Sequence, residues 1–336
     1  MTTAKDIQQR ALVIDGLSYY SDGYTGGLRE GGVDALNVTV CHFEADCREA
    51  CDRIAGWLAR TAAPQSEWRL IETRDDFDAA KAEGRTGIVM GWQNMRPVED
   101  NLDRLAMFHK LGVRVMQITY NYRNFLGDGC LETEDGGLSV MGRDAVRLMN
   151  DLGIAIDLSH VGDRTSLDAI ALSTKPVLAT HADARALVDL PRNKSDDVIR
   201  AIAETGGVVG ASVYGPMLWD GDTSRRPTID DFVRHLEHIV EVAGIDHVGF
   251  GTDLPAAKDL AKTAFEAANR RLWSGISRYG DAFGHDIPAR YPLDANAHVK
   301  LPSITEALVA RGWRPRDIEA YLGGNFARAL GEIWGN

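Results

Sequence analysis

Residues 153–183 read GIAIDLSHVGDRTSLDAIALSTKPVLATHAD. Two short apolar runs, Ala155–Leu158 and Val177–Thr180, each stop at polar residues: Ser159-His160 after the first, His181-Ala182-Asp183 after the second. Between them lies a charged stretch long enough for a crossover helix. Strand, crossover and strand is the repeat of a parallel α/β sheet. The alternation continues in both directions. Ala11–Ile14, Ala35–Val40, Gly87–Met90 and Val113–Ile118 precede the stretch, and Val208–Ser212 and His247–Gly251 follow it. Eight such units predict a closed (β/α)₈ TIM-like barrel rather than an open sheet.

Helix signals fall between the runs. Val98–Lys110 spaces Leu102, Leu105, Ala106 and Phe108 near the helical period. Gly142–Leu152 and Asp230–Ala243 each run into a glycine, Gly153 and Gly244, which suits a helix C-terminus. Pro302 fits the first turn of another helix. No linker or internal repeat divides residues 1–336, so they read as one barrel domain. Residues 256–301 break the pattern. They hold Trp273, Tyr279, Phe283 and Tyr291 among Gly and Pro, with no clear strand. They are expected to form a long insertion after the last strand, a lid over the barrel mouth.

A barrel works at the C-terminal ends of its strands. The expected rim is therefore Asp15 to Tyr19, Cys41 to Glu44, Trp92-Gln93-Asn94, Thr119-Tyr120-Asn121, Ser159-His160, His181-Ala182-Asp183, Tyr214 and Thr252-Asp253. His160 and His181 end successive strands. Neighbouring strands lie about 4.8 Å apart, so two imidazoles at one level can converge on one metal ion at about 2.0–2.1 Å. Asp253, in GFGTDLP, can serve as a general base towards water; capping a following helix is the other use of such a residue.

Composition narrows the partners. The net charge of −12, with no basic run, argues against nucleic acid, which needs clustered Lys and Arg. No stretch approaches 18 apolar residues, so no transmembrane helix and no membrane partner are expected. MTTAKDIQQRALVIDG lacks a signal-type apolar region, and the chain reads as cytoplasmic. Cys41, Cys47, Cys51 and Cys130 are then expected as free thiols. Cys47 and Cys51 are four apart, but a zinc site would want a second such pair.

Several motifs in register resemble those of the renal (membrane) dipeptidase family of amidohydrolase-like barrels. They are VIDG with GGVDALNVTV behind it, DLSHVGDRT, KPVLATHADARAL followed by PRNKSDD, HVGFGTD, and LGGNFARAL. They span roughly residues 11–255 and 300–334. The resemblance implies a TIM-like barrel, two bridged zinc ions and hydrolysis of dipeptides or other small amides. It matches His160 and His181 to the histidines of the second zinc and Asp253 to the aspartate that handles the attacking water and substrate amine. It matches Arg192 to the arginine that holds the substrate carboxylate, a task suited to a planar guanidinium. Dimers are common in that family, which makes a homodimer the implied assembly.

The departures fall early in the chain. Where the family has His-x-Asp after Asp-Gly, this chain reads Leu17-Ser18-Tyr19. Leu17 cannot bind a metal, and a phenol with pKa near 10 is a reluctant ligand. Gln93 stands where the family has its bridging glutamate, and Tyr120 where it has a histidine that contacts the substrate carbonyl. Without those carboxylates, two dications about 3.5 Å apart repel with little compensation. A two-zinc centre is therefore not expected. The expectation is at most one divalent ion on His160 and His181 with Gln93, zinc first and iron, nickel or copper also accepted. Tyr19, Tyr120 and Arg192 are expected to contact the substrate, with Asp253 and Tyr120 as catalytic residues. His42, Glu44, Asp22, Tyr24, Tyr20 and Tyr122 are further rim candidates. The chain then reads as a dipeptidase-like hydrolase of a small carboxylate-bearing amide with altered chemistry. The alternatives are a catalytically silent homologue that binds an amino-acid-like ligand, and a lyase or isomerase on the same scaffold.

Overall fold

The computed structural model describes residues 2–20, 26–219, 225–256 and 291–335. Among these, ten parallel strands follow the chain: β1 Ile14–Tyr20, β2 Ala35–Thr39, β3 Trp68–Leu70, β4 Thr86–Trp92, β5 Val113–Gln117, β6 Ala155–Asp157, β7 Leu178–Ala179, β8 Val208–Ala211, β9 Val248–Phe250 and β10 Leu254–Ala256. Their order is β10-β1-β2-β4-β5-β6-β7-β8-β9, with β3 off the path against β4. β9 lies within the expected eighth strand, His247–Gly251, and β10 follows just beyond it as a second piece. β9 pairs with β8 and β10 with β1, so the broken strand closes the (β/α)₈ barrel. The break contains Asp253, whose φ of 59° is left-handed.

The first strand lies further along than expected. Ala11 caps the helix Ala4–Arg10, and the Val13 amide donates to Asp34 Oδ2 at 2.9 Å. The strand proper begins at Ile14 and shifts register between Asp15 and Ser18. Asp and Gly are poor strand formers, which hides the DGLSYY stretch from a propensity reading. The helices fall near their expected places. Val140–Leu152 stops at Gly153 (φ 72°), Ile229–Ala243 at Gly244, and Pro302–Ala310 starts on its proline. Asp103–Lys110 begins five residues later than expected, after a short 3₁₀ turn at Arg96–Val98.

Inside the barrel the lowest layer is apolar. Ile14, Ala35, Val89, Val115, Ala155, Leu178 and Val208 cluster with Phe326 of the helix Asn325–Trp334. A Cβ on Gly249 would meet the Phe326 ring at 2.4 Å, and one on Gly210 the Thr180 carbonyl at 2.1 Å. Glycine is required there because the ring and that carbonyl already occupy the space. Inward residues recur every second position. Above the plug the inward face therefore turns polar: Asn37, Gln117, Asp157 and Thr180, then Thr39, Gln93, Ser159, Ser212 and Asp253.

Of the expected insertion, residues 257–290 lie outside the described residues. Its described end packs on the barrel. The Tyr291 hydroxyl donates to the Asp253 carbonyl at 2.9 Å, and His298 Nε2 lies 3.0 Å from Asp15 Oδ2. No helix among the described residues is long and apolar enough to cross a membrane.

Candidate active site

The two rim histidines meet, Nε2 to Nε2 at 3.0 Å, and both are buried. Their other nitrogens fix the tautomers. His160 Nδ1 lies 2.7 Å from Asn121 Oδ1, an acceptor, so Nδ1 carries the hydrogen. His181 Nδ1 lies 2.9 Å from Thr180 Oγ1, whose own hydrogen goes to Asp157 Oδ2 at 2.7 Å. That hydroxyl must therefore accept from His181 Nδ1–H. In the neutral rings both Nε2 atoms then present lone pairs to each other. A proton between them is disfavoured: burial, and then the Arg192 and Lys194 charges, hold both rings far below the usual imidazole pKa. Two facing lone pairs in a buried site suit a cation other than a proton. One divalent ion, bound at about 2.0–2.1 Å to each imidazole, fits that donor pair. The Asn121 and Thr180–Asp157 contacts are of the kind that orients imidazoles in metal sites.

Further ligands are scarce. Among the described residues no group of three or more His, Cys, Asp or Glu is placed to hold a metal. Gln93 donates Nε2 to Thr39 Oγ1 at 3.0 Å and leaves Oε1 buried without a partner. A neutral amide oxygen of this kind can complete a mononuclear site but is a weak bridge between two dications. The Tyr19 phenol is kept protonated: burial first, then the neighbouring Asp253 charge, push its pKa well up. It bonds the Asp253 carboxyl instead.

Among the described residues, Asp253 Oδ1 is buried without a partner. Burial raises its pKa to about 7, held back by the Tyr19 bond and Arg192. A carboxyl that titrates near neutrality suits general acid–base work. Its left-handed backbone, like that of Asn121 (φ 61°), is a sparsely populated state of the kind found at functional sites. Tyr120 is stacked between Phe43 (4.2 Å, 7°) and His160 (4.1 Å, 24°). Burial raises its pKa too, so it keeps its proton.

Arg192 is buried. Its guanidinium donates to the Ser159 carbonyl, and to the His181 carbonyl at 2.8 Å. It thus ties the ends of β6 and β7 together and sets a positive charge close to the pair. His42 and Glu44 are exposed, and so is Tyr122. Asp22, Tyr24 and the Tyr20 side chain lie outside the described residues.

Several site residues carried no assigned role in the sequence. Asp157 accepts from Ser159 Oγ at 2.6 Å as well as from Thr180. Asp15 accepts from Thr252 Oγ1 at 2.6 Å, which fixes the residue before Asp253. Asp183 is buried with Oδ2 unpartnered, and burial pushes its pKa well up. Lys194 is buried with Nζ on the Val161 carbonyl at 2.6 Å, and burial lowers its pKa to about 8. Asp15, Asp157, Asp183 and Lys194 all stand inside the motifs already quoted. His298 stands in none.

Comparison with known proteins identifies the family. Residues 28–269 match the family model for membrane dipeptidase, peptidase family M19. The chain belongs to that family. An uncharacterised dipeptidase of Schizosaccharomyces pombe is 35% identical over 193 residues, 56% of this chain and 46% of that one. Dipeptidase tcpJ of Claviceps purpurea is 27% identical over 266 residues, 79% of this chain and 55% of that one. The chain thus spans about half the length of the curated M19 relatives it matches. Among solved structures, an amidohydrolase from Pseudomonas aeruginosa shares 33% identity at a TM-score of 0.86, with 99% of this chain and 100% of that chain covered. The probable dipeptidase PvdM from the same organism shares the fold, with TM-score 0.80, 22% identity and 99% and 98% coverage. The M19 fold, the family and a dipeptidase-like hydrolase ancestry are therefore established for this chain.

Proposed function

We propose that this M19 protein hydrolyses a small carboxylate-bearing amide or dipeptide-like substrate at a site with one divalent metal ion. The observation that carries the reading is the pair of Nε2 lone pairs facing each other at 3.0 Å. His160 and His181 would hold the ion, with the Gln93 carbonyl as a neutral candidate to join them. When bound, the ion supplies Lewis acidity towards the substrate carbonyl. Asp253, with its free Oδ1 and a pKa of about 7, takes the proton of the attacking water. Tyr120 holds a proton beside His160 and delivers it to the leaving nitrogen. The Arg192 charge lies where a substrate carboxylate is attracted. Tyr19 keeps Asp253 oriented and walls the substrate.

Metal content tests this directly. Protein purified without added metal is expected to retain up to one equivalent per chain, lost in His160→Ala. Two zinc equivalents overturn the mononuclear reading. No metal, together with ligand binding unchanged in His160→Ala, favours a silent homologue that binds an amino-acid-like ligand. A dipeptide panel with and without chelator checks the chemistry: little turnover of ordinary dipeptides is expected.

A further inference from the structure

Three loops at the C-terminal rim enclose a cleft of about 510 Å³ that the proposed chemistry does not use. Its walls come from the segments after β2, β4 and β5: Asp46 from the first, Met95 and Arg96 from the second, Phe125 and Leu126 from the third. Among the described residues that line it, none belongs to the His160–His181 pair or is Tyr120, Arg192 or Asp253. The loops are laced to one another. Asn124 Nδ2 donates to Asn94 Oδ1 at 2.8 Å and to the Ile118 carbonyl at 2.7 Å, and Asn94 Nδ2 donates to the Phe43 carbonyl at 2.8 Å. The Leu126 amide donates to Asn124 Oδ1 at 2.8 Å. A cleft tied in this way is shaped before any ligand arrives, which lowers the cost of binding.

Four charged side chains line the cleft, and two of them are already matched. Glu99 accepts from Arg104 and from the Cys47 amide, and Arg123 donates to Asp128 Oδ2 at 3.1 Å. Asp46 and Arg96 differ. Asp46 caps the helix Cys47–Ala62 with one oxygen, Oδ1, which accepts from the Glu49 amide at 2.8 Å. Both side chains are exposed, and among the described residues neither forms an ion pair. One free anion and one free cation thus share a cleft without reaching each other. Between them lies apolar surface: Met95 and Leu126 are buried, and Phe125 is 63% exposed.

This combination selects a ligand class. A simple anion would meet the Asp46 and Glu99 carboxylates, and a simple cation the Arg96 and Arg123 guanidiniums. A wholly apolar ligand would strip water from the free charges and return nothing for it. A zwitterion with an apolar side chain meets all three features. We propose that the cleft is a second, non-catalytic binding site for an apolar α-amino acid or its dipeptide. The ligand carboxylate pairs with Arg96, its ammonium with Asp46, and its side chain covers Phe125. Small-ligand clefts run to about 300–1,000 Å³, so the volume suits such a ligand. Nothing in this recognition involves the metal site.

The test is calorimetric titration of the full chain with L-leucine and two analogues. L-leucinamide lacks the carboxylate, and N-acetyl-L-leucine lacks the ammonium. L-leucine is expected to bind saturably, and about tenfold more weakly to Arg96→Gln and to Asp46→Asn, since each loses a charge-assisted contact. Asparagine also caps helices, so Asp46→Asn keeps the fold while removing the charge. L-leucinamide should bind the unaltered chain and Arg96→Gln equally, and N-acetyl-L-leucine the unaltered chain and Asp46→Asn equally. Asp253→Asn should leave the L-leucine affinity unchanged. Absence of saturable L-leucine binding overturns the proposal, and so does an unchanged affinity in either Arg96→Gln or Asp46→Asn. Loss of binding in Asp253→Asn also overturns it, by moving the ligand to the catalytic rim.

Discussion

The barrel mouth has two halves of similar depth and opposite character. On β2, just past β4 and on β5 the inward polar side chains include three neutral amides, Asn37, Gln93 and Gln117. Each spends its NH₂ on a neighbour, Asn37 on the Gly16 carbonyl at 2.9 Å and Gln117 on the Thr119 carbonyl at 2.8 Å. Each leaves its carbonyl oxygen buried without a partner. From β6 round to β10 the residues are Asp157, His160, His181, Asp183, Arg192 and Asp253, of which Asp157, His181 and Arg192 are tied together through Thr180 and the Ser159 and His181 carbonyls. The difference teaches where ligand binding is organised in advance. One half is tied into defined tautomers and orientations. The other offers acceptor oxygens that only a bound donor, water or cation can satisfy, each unsatisfied one costing about 1–3 kcal/mol.

The largest effect is expected from breaking the ordered half at its root. Asp157→Ala removes the acceptor of both the Ser159 and Thr180 hydroxyls, freeing the His181 tautomer. A stability loss of ~3 kcal/mol or more is expected from urea unfolding, with metal affinity weakened by ~10–100-fold. Survival of both within error removes the orienting role. Next is the proton on Asp253. Its folded pKa, about 7, lies above the ordinary 3.8, so between these values the folded chain holds a proton that the unfolded chain has released. Stability therefore falls as pH rises through that window. Asp253→Asn should flatten the slope in melts taken from pH 4 to 8, and hydrolysis by the unaltered chain should rise with pH through about 7. Smallest is the neutral half. Gln93→Leu deletes an unsatisfied oxygen together with the Thr39 bond, and is expected to change the metal-free melting stability by no more than ~1 kcal/mol. Gln93→Glu instead should tighten metal binding, read by chelator competition, while destabilising the metal-free protein. Equal metal affinity in the unaltered chain, Gln93→Leu and Gln93→Glu would remove this half from the site.

The sequence made one half more legible than the other. Apolar runs ending in His160, His181 and Asp253 marked their strands and rim positions, because strand burial and polar termination are local properties. β3 was not anticipated: Trp68–Leu70 is too short to stand out from its helical neighbours. Arg192 was expected to face a substrate. Its position at the site followed from the motif, but its bonds to the Ser159 and His181 carbonyls did not. Pairings across long separations carry no local signal. His298 reaches Asp15 over 283 residues, and Asn121 shows its role only once its left-handed backbone and the His160 ring are seen together.

Phe326 has a consequence for how this barrel comes into being. Its ring fills the floor against Gly16 and Gly249, so the first strand cannot settle until a helix from the other end of the described chain has docked. Contacts of such sequence separation make folding slow, and synthesis presents the N-terminal strands long before that ring exists. The half-made sheet therefore waits with an open floor, and the final helix acts as the latch that commits the whole barrel at once.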